Sequence, residues 1–325
     1  MTAGDWRPSA SLEVIRERAR MLSRVREHFS SQRVIEVQTP VLGAAAPSDP
    51  QIEPVAALPA GGPPRWLQTS PEFPMKRLLA AGLGDCYQVC PVFRDGEAGR
   101  MHGPEFTMIE WYRVGFSAAD LRRDVEQLLQ AATLGLRPLA PARTLTYREA
   151  ILATCGIDCR DTGVAAVRAA LAARGIVPAD DRGWDLDDWL DLLVGAVVGP
   201  ALGGDAPAFV IDYPPSQASL ARLRTDAGGV TVAERFELYL DGIELANGFR
   251  ELGDAAEQRR RFEQDLDTRR RRARPLPPLD ERLLAALAHG LPDCSGVALG
   301  FDRLVMVALG LPDLAAAMCF AHQRA

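Results

Sequence analysis

Lysine is all but absent from this 325-residue chain: Lys76 stands alone, and the other 36 of its 37 basic residues are arginine. That uniformity reads as the codon usage of a GC-rich genome more than as a functional choice. No apolar run approaches the roughly 20 residues a membrane span needs. Met1 to Arg20 carries acids and polar residues with no apolar run before a cleavage-like site, so no signal peptide is expected and the cytoplasm is the expected compartment. Zinc-type cysteine spacing is missing too. Cys86 with Cys90 and Cys155 with Cys159 are each four apart, no histidine neighbours either pair, and zinc ribbons use a tighter spacing. An excess of positive charge is also lacking: the net charge is −6 and the pI about 5.4, which gives no global pull toward nucleic acid. What remains is a chain with 47% apolar residues, enough for a large core, and with no internal repeat or low-complexity tail.

The most informative stretch runs from Val92 to Tyr112 and reads as two strands around a charged loop dotted with glycines. After the loop, Phe106, Met108, Glu110 and Tyr112 fall at period two, so a strand sends an aromatic, a carboxylate and a phenol to one face while Thr107, Ile109 and Trp111 take the other. Packing alone does not ask for that mixture. Arg94 before the loop suits a phosphate oxygen, because a guanidinium is permanently charged and donates in bidentate geometry. A ring one strand away suits stacking on a purine. The alternative is a surface hairpin with charged residues.

A second hairpin is read from Glu234 to Leu240 and Ile243 to Phe249 around Asp241 and Gly242, two residues that tolerate positive φ. That turn pairs Leu240 with Ile243, Tyr239 with Glu244 and Glu237 with Ala246, and it sets Glu237 and Glu244 on one face as diagonal neighbours, roughly 7 to 8 Å apart. Two such carboxylates repel unless a cation lies between them. Mg²⁺ on ATP phosphates suits the place; two exposed acids on an ordinary sheet face is the other reading. Asn247 has the wrong parity for that face unless a bulge intervenes near Gly248.

Two more segments join these: Glu36 to Pro40, after a helical stretch from about Leu12 to Phe29, and Gly296 to Leu304. Together with the 92–112 stretch they resemble the three motifs of class II aminoacyl-tRNA synthetases. Thr69 to Glu72, Met75 to Leu78, His102 to Tyr112 and Arg235 to Leu252 narrow the resemblance to the lysyl branch. Within it the chain is most similar to the short paralogues that attach a lysine-type amino acid to elongation factor P, from about Ser11 onward.

The resemblance implies an α+β fold, an antiparallel sheet flanked by helices, dimerising through the 36–40 region. It also implies one catalytic domain over residues 1–325, with a mostly helical insertion at about 140–205 and no anticodon-binding domain. ATP and Mg²⁺ are the expected cofactors. Arg94 and Arg303 are the implied catalytic residues, holding the α-phosphate and the far phosphate. Phe106 would stack on adenine, and Asp95, Gly96, Glu97, His102, Gly103, Glu244, Leu245 and Gly300 would line the ATP site. Asp302 is read as the anchor of Arg303. Ser70, Pro71, Glu72, Tyr112, Asn247 and Glu251 match positions that recognise a lysine-like substrate, with Glu72 and Glu251 as acceptors for two separate ammonium groups. Glu237 and Glu244 are the metal candidates.

Departures from lysyl-tRNA synthetases are Gly96 where the second motif has glutamate, so that the acid is displaced to Glu97, and Gly103 where an asparagine follows the histidine. Ala298 stands where those enzymes have glycine; its methyl would suit a β-amino acid or be neutral packing. The implied reaction makes an aminoacyl adenylate and passes the acyl group to elongation factor P, with lysine or β-lysine as substrate, no tRNA and no membrane partner. The alternatives are tRNA or a free amine as acceptor, or a weakly catalytic lysine-sensing regulator.

Elsewhere the reading is coarser. Gly43 to Pro64 is a surface connection, helices occupy about 117–137, 164–174 and 187–198, and Phe209 to Tyr213 is a strand ended by Pro214 and Pro215. The arginines between Arg259 and Arg274 read as a solvated helix face balanced by acids, ahead of a partner-docking patch.

Overall fold

The computed structural model describes residues 6–204 and 206–324. The chain divides into two compact units, Met1–Pro138 with Glu251–Ala325, and Leu139–Arg250. Helices and mostly antiparallel strands share each, the expected α+β class.

In the first unit, strands lie in the order Ile35–Glu36, Cys86–Phe93, Glu105–Val114, Cys294–Gly300. The first pairing is parallel and the others antiparallel. Ser11 caps the helix Leu12–Ser31 by accepting from the Val14 N–H at 3.2 Å, a bond worth about 1 kcal/mol. The same helix buries Met21, Val25 and Phe29, and Phe29 stacks on Tyr87 with ring centroids 4.2 Å apart. Ser117 and Asp120 form a reciprocal cap for the helix Ala118–Ala132, whose Asp124 accepts from the Trp111 indole at 3.1 Å. Those contacts hold Trp111 on the helix side of its strand and leave Glu110 and Tyr112 on the opposite face, as period two requires. Residues 108–113 are buried, which excludes the surface hairpin.

The 43–64 connection is less loose than its composition suggested. It contributes the strand Ala56–Ala57 to a three-stranded sheet, and Arg269 grips it from the helix Ala255–Arg271. Arg269 is 0% exposed and donates to Ser48 O at 3.1 Å, Ile52 O at 2.5 Å and Glu53 at 3.0 Å. The solvated-face reading therefore fails for Arg269. It fits Arg259, Arg260 and Arg270, which pair on the surface with Glu281, Glu257 and Asp267.

In the second unit, strands run in the order Ile243–Arg250, Thr231–Leu240, Ala208–Tyr213, Arg143–Thr146. Helices Tyr147–Cys155, Val164–Ala172 and Leu186–Leu193 supply Ile151, Leu171 and Leu193 to a core that also holds Val210 and Tyr239. Each such side chain contributes about 1.5–3 kcal/mol by leaving water.

Asp241 and Gly242 have φ of 51° and 74°, the two-residue turn expected. Leu240 pairs with Ile243 and Tyr239 with Glu244 as read, but Leu245 is then an extra residue, and Glu237 faces Asn247 instead of Ala246. The bulge lies nearer the turn than Gly248. It corrects the pairing and removes the parity problem, because Glu244 and Asn247 now share the face of Glu237. Among the described residues no helix is long and apolar enough to cross a membrane.

Candidate active site

The first unit holds a buried cluster of acids. Glu72 opens the helix Glu72–Ala80 just after the buried Pro71. Ser70 Oγ accepts from the Glu72 N–H at 2.9 Å and donates to Glu110 at 2.6 Å, while the Tyr112 hydroxyl donates to the other Glu110 oxygen at 2.7 Å. One turn along the helix, Lys76 Nζ lies 2.6 Å from Glu72 and 2.5 Å from Glu251. Lys76 is 1% exposed, so this ammonium is part of the cluster.

One expectation changes here. Glu72 and Glu251 do not wait separately for two ammonium groups, because a side chain of the protein already bridges them. The lone lysine of the chain sits among three carboxyl groups, Glu72, Glu110 and Glu251. Burial, and then Glu72, push the Glu110 carboxyl above the usual carboxylate range. Burial raises Glu251 as well, against the pull of Lys76. Burial works against the charge of Lys76, but Glu251 and then Glu72 outweigh it and hold the ammonium protonated.

Gly296 pairs with Tyr112, and a Cβ there would lie 2.3 Å from the Tyr112 ring and 2.5 Å from Glu251 Oε1. Only glycine lets ring and carboxylate close over that point of the strand. Ala298 pairs with Glu110 and packs with Phe106 against Cys90, Val92 and Met108.

The Arg94 guanidinium lies over the Phe106 ring at 5.1 Å and faces Glu97 at 3.7 Å. Gly96 turns the chain with φ 74°, and the Asp95 carboxylate accepts its N–H at 2.8 Å. The turn explains how an acid displaced by one position still returns to Arg94. Burial, then Arg303, lower the pKa of His102, with Glu97 opposing and Arg94 adding, so these four groups share one neighbourhood. Arg303 Nε donates to Met101 O at 3.2 Å and ties the start of the helix Phe301–Ala308 to the charged loop. Asp302 is not its anchor: that carboxylate holds Arg18 at 2.6 Å and the Thr107 N–H at 2.7 Å. A Cβ on Gly300 would meet only the Arg303 side chain, at 3.8 Å, whereas one on Gly103 would come within 3.4 Å of Glu105 O.

In the second unit, Glu237, Glu244 and Asn247 line one sheet face. Glu237 is 7% exposed, with Arg235 donating to one oxygen at 2.6 Å and Tyr239 to the other at 2.6 Å. Its charge is therefore balanced without a metal, which corrects the view of two unrelieved carboxylates. Among the described residues no three His, Cys, Asp or Glu side chains form a metal cage. Two carboxylates on one face fit a cation that brings phosphate oxygens with it. Leu245 is buried, so its contribution to a nucleotide would come through backbone groups.

Sequence reasoning passed over Glu110, Lys76, Gly296 and Arg235 as site residues. Signals existed for the first two: the shared parity of Glu110 with Tyr112, and the i, i+4 spacing of the only lysine from Glu72.

Residues 3–324 match the family described as tRNA synthetases class II (D, K and N). The chain is 45% identical over 325 residues to an "Elongation factor P--(R)-beta-lysine ligase" of Salmonella typhi, with 98% of each chain covered. Proteins of the same description from Pectobacterium carotovorum subsp. carotovorum and Salmonella gallinarum are 45% and 44% identical, again over 98% of each chain.

Proposed function

The chain belongs to the class II tRNA synthetases of the D, K and N group, and we propose that it activates (R)-β-lysine with ATP and transfers it to a lysine side chain of elongation factor P. The carrying observation is the buried cluster of Glu72, Glu110 and Glu251 around Lys76, with Tyr112 and Gly296 packed against it, where three carboxyl groups face one ammonium and leave an acceptor for an ammonium-bearing substrate. The relatives' printed description supplies the acceptor and the β-amino isomer.

In the first step the substrate carboxylate attacks the α-phosphorus of ATP and pyrophosphate leaves. In the second, the acceptor amine attacks the acyl carbonyl, AMP leaves, and the amide nitrogen gives up a proton. Neither step needs a covalent nucleophile on the enzyme. Arg94 is read on the α-phosphate, Phe106 on adenine and Arg303 on the far phosphate, with His102, Glu97, Asp95, Gly96 and Gly103 forming the wall beside them. Glu237 and Glu244 would hold Mg²⁺, which when bound neutralises phosphate charge. Ser70, Glu72, Tyr112, Asn247 and Glu251 orient the amino acid, so that preorganised charge and positioning supply most of the acceleration. Ala298, opposite Glu110, is read as the element that favours a β-amino group. We further read both units as parts of one catalytic domain, acting in the cytoplasm as a homodimer joined through residues 36–40, without tRNA.

ATP–pyrophosphate exchange with single amino acids tests this reading. Exchange stimulated by (R)-β-lysine above lysine and above the other amino acids is the expected result; no stimulation by either isomer would overturn it.

A further inference from the structure

Arg235 connects the two kinds of ligand that the second unit offers. Its guanidinium donates to Glu237 Oε1 at 2.6 Å and to Asn247 Oδ1 at 3.2 Å, while a third donor reaches Gln217 O at 2.9 Å. The fork lies over the Tyr213 ring at 4.4 Å, and only 18% of the side chain is exposed. A planar fork of five donors can meet these acceptors together; an ammonium is a point charge and cannot.

Gln217 belongs to the short turn Pro215–Gln217, whose neighbour Ser216 donates to Asp187 at 3.0 Å on the helix Leu186–Leu193. From the same helix, Asp191 feels the field of Arg235, which opposes the upward push of desolvation on its carboxyl. A polar chain thus runs from the helical segment, through the 215–217 turn and Arg235, to the sheet face.

We propose that Arg235 is a positioning residue that sets the metal-side carboxylate of Glu237 and the substrate-side amide of Asn247 as one unit, with the helical segment as its support. The proposal rests on the roles read above for Glu237 and Asn247. Tyr239 provides the contrast, because its hydroxyl donates to Glu237 at 2.6 Å from the same strand.

The test uses full-length protein and two equilibrium readouts that do not depend on turnover. Mn²⁺ binding is followed by electron paramagnetic resonance in the presence of a non-hydrolysable ATP analogue, and (R)-β-lysine binding by calorimetry. Arg235→Lys is expected to weaken both by about tenfold or more, as supporting residues around metal ligands do, with Tm little changed. Tyr239→Phe is expected to weaken Mn²⁺ binding and spare the amino acid. A purely structural Arg235 would reduce the folded fraction without moving either dissociation constant, and unchanged constants in folded Arg235→Lys would overturn the proposal. If that variant does not fold, unchanged Mn²⁺ binding in Tyr239→Phe overturns the premise that these donors orient Glu237. Wild-type protein that binds neither probe would defeat the functional reading itself, and this inference with it.

Discussion

Replacing Lys76 with methionine removes a charge and keeps the volume, so its consequence follows from electrostatics instead of packing. Lys76 is 1% exposed and bridges Glu72 and Glu251 at 2.6 and 2.5 Å, with Glu110 in the same cluster. Removing one partner of a buried ion pair costs about 3–5 kcal/mol, a large share of the roughly 5–15 kcal/mol that keeps a domain folded. The loss must also depend on pH. Glu110 and Glu251 are already raised by burial, and without the ammonium they rise further above their unfolded values. Between the unfolded and folded pKa values the folded variant binds more protons than the unfolded chain, so its stability falls as pH rises through that window. Urea unfolding at pH 6 and pH 8 should therefore show Lys76→Met destabilised at both, and more at pH 8. A variant as stable as the wild type at pH 8, or a loss that does not grow between the two values, would refute the reasoning.

Three further outcomes follow from the same geometry. Gly296→Ala puts a methyl 2.3 Å from the Tyr112 ring; the shift should cost about 1–3 kcal/mol in Tm measurements and weaken amino-acid binding about 10²-fold by calorimetry. Arg94→Ala and Arg303→Ala should each lower ATP–pyrophosphate exchange about 10²-fold or more while circular dichroism stays unchanged. A diammonium substrate needs Glu110 and Glu251 ionised, so its binding should tighten from pH 6 to pH 8 and release protons, read as a heat that varies with the ionisation enthalpy of the buffer.

Where a local rule decided the structure, the sequence was readable. The Asp241–Gly242 turn fixed the first two pairs of its hairpin, and period two put Glu110 and Tyr112 together opposite Trp111. The extra residue at Leu245 was not readable, because a bulge carries no marker when its residue is an ordinary apolar one. Arg269 was lost among charged neighbours: its burial comes from carbonyls of the 48–53 loop more than 200 positions away. Lys76 was given no role for a related reason. Its spacing from Glu72 was visible, but its second partner, Glu251, comes from another part of the chain, and only that pairing turns a surface-like helix pair into a buried one. Asp302 shows the same limit, since adjacency to Arg303 suggested an ion pair that Arg18 takes instead.

The account stands most directly on the acceptor. Radiolabelled (R)-β-lysine and lysine, each supplied with ATP and Mg²⁺, should be offered side by side to elongation factor P and to total tRNA. The account predicts label on elongation factor P, faster with the β-isomer, and little on tRNA. Efficient charging of tRNA with no labelling of elongation factor P would contradict it.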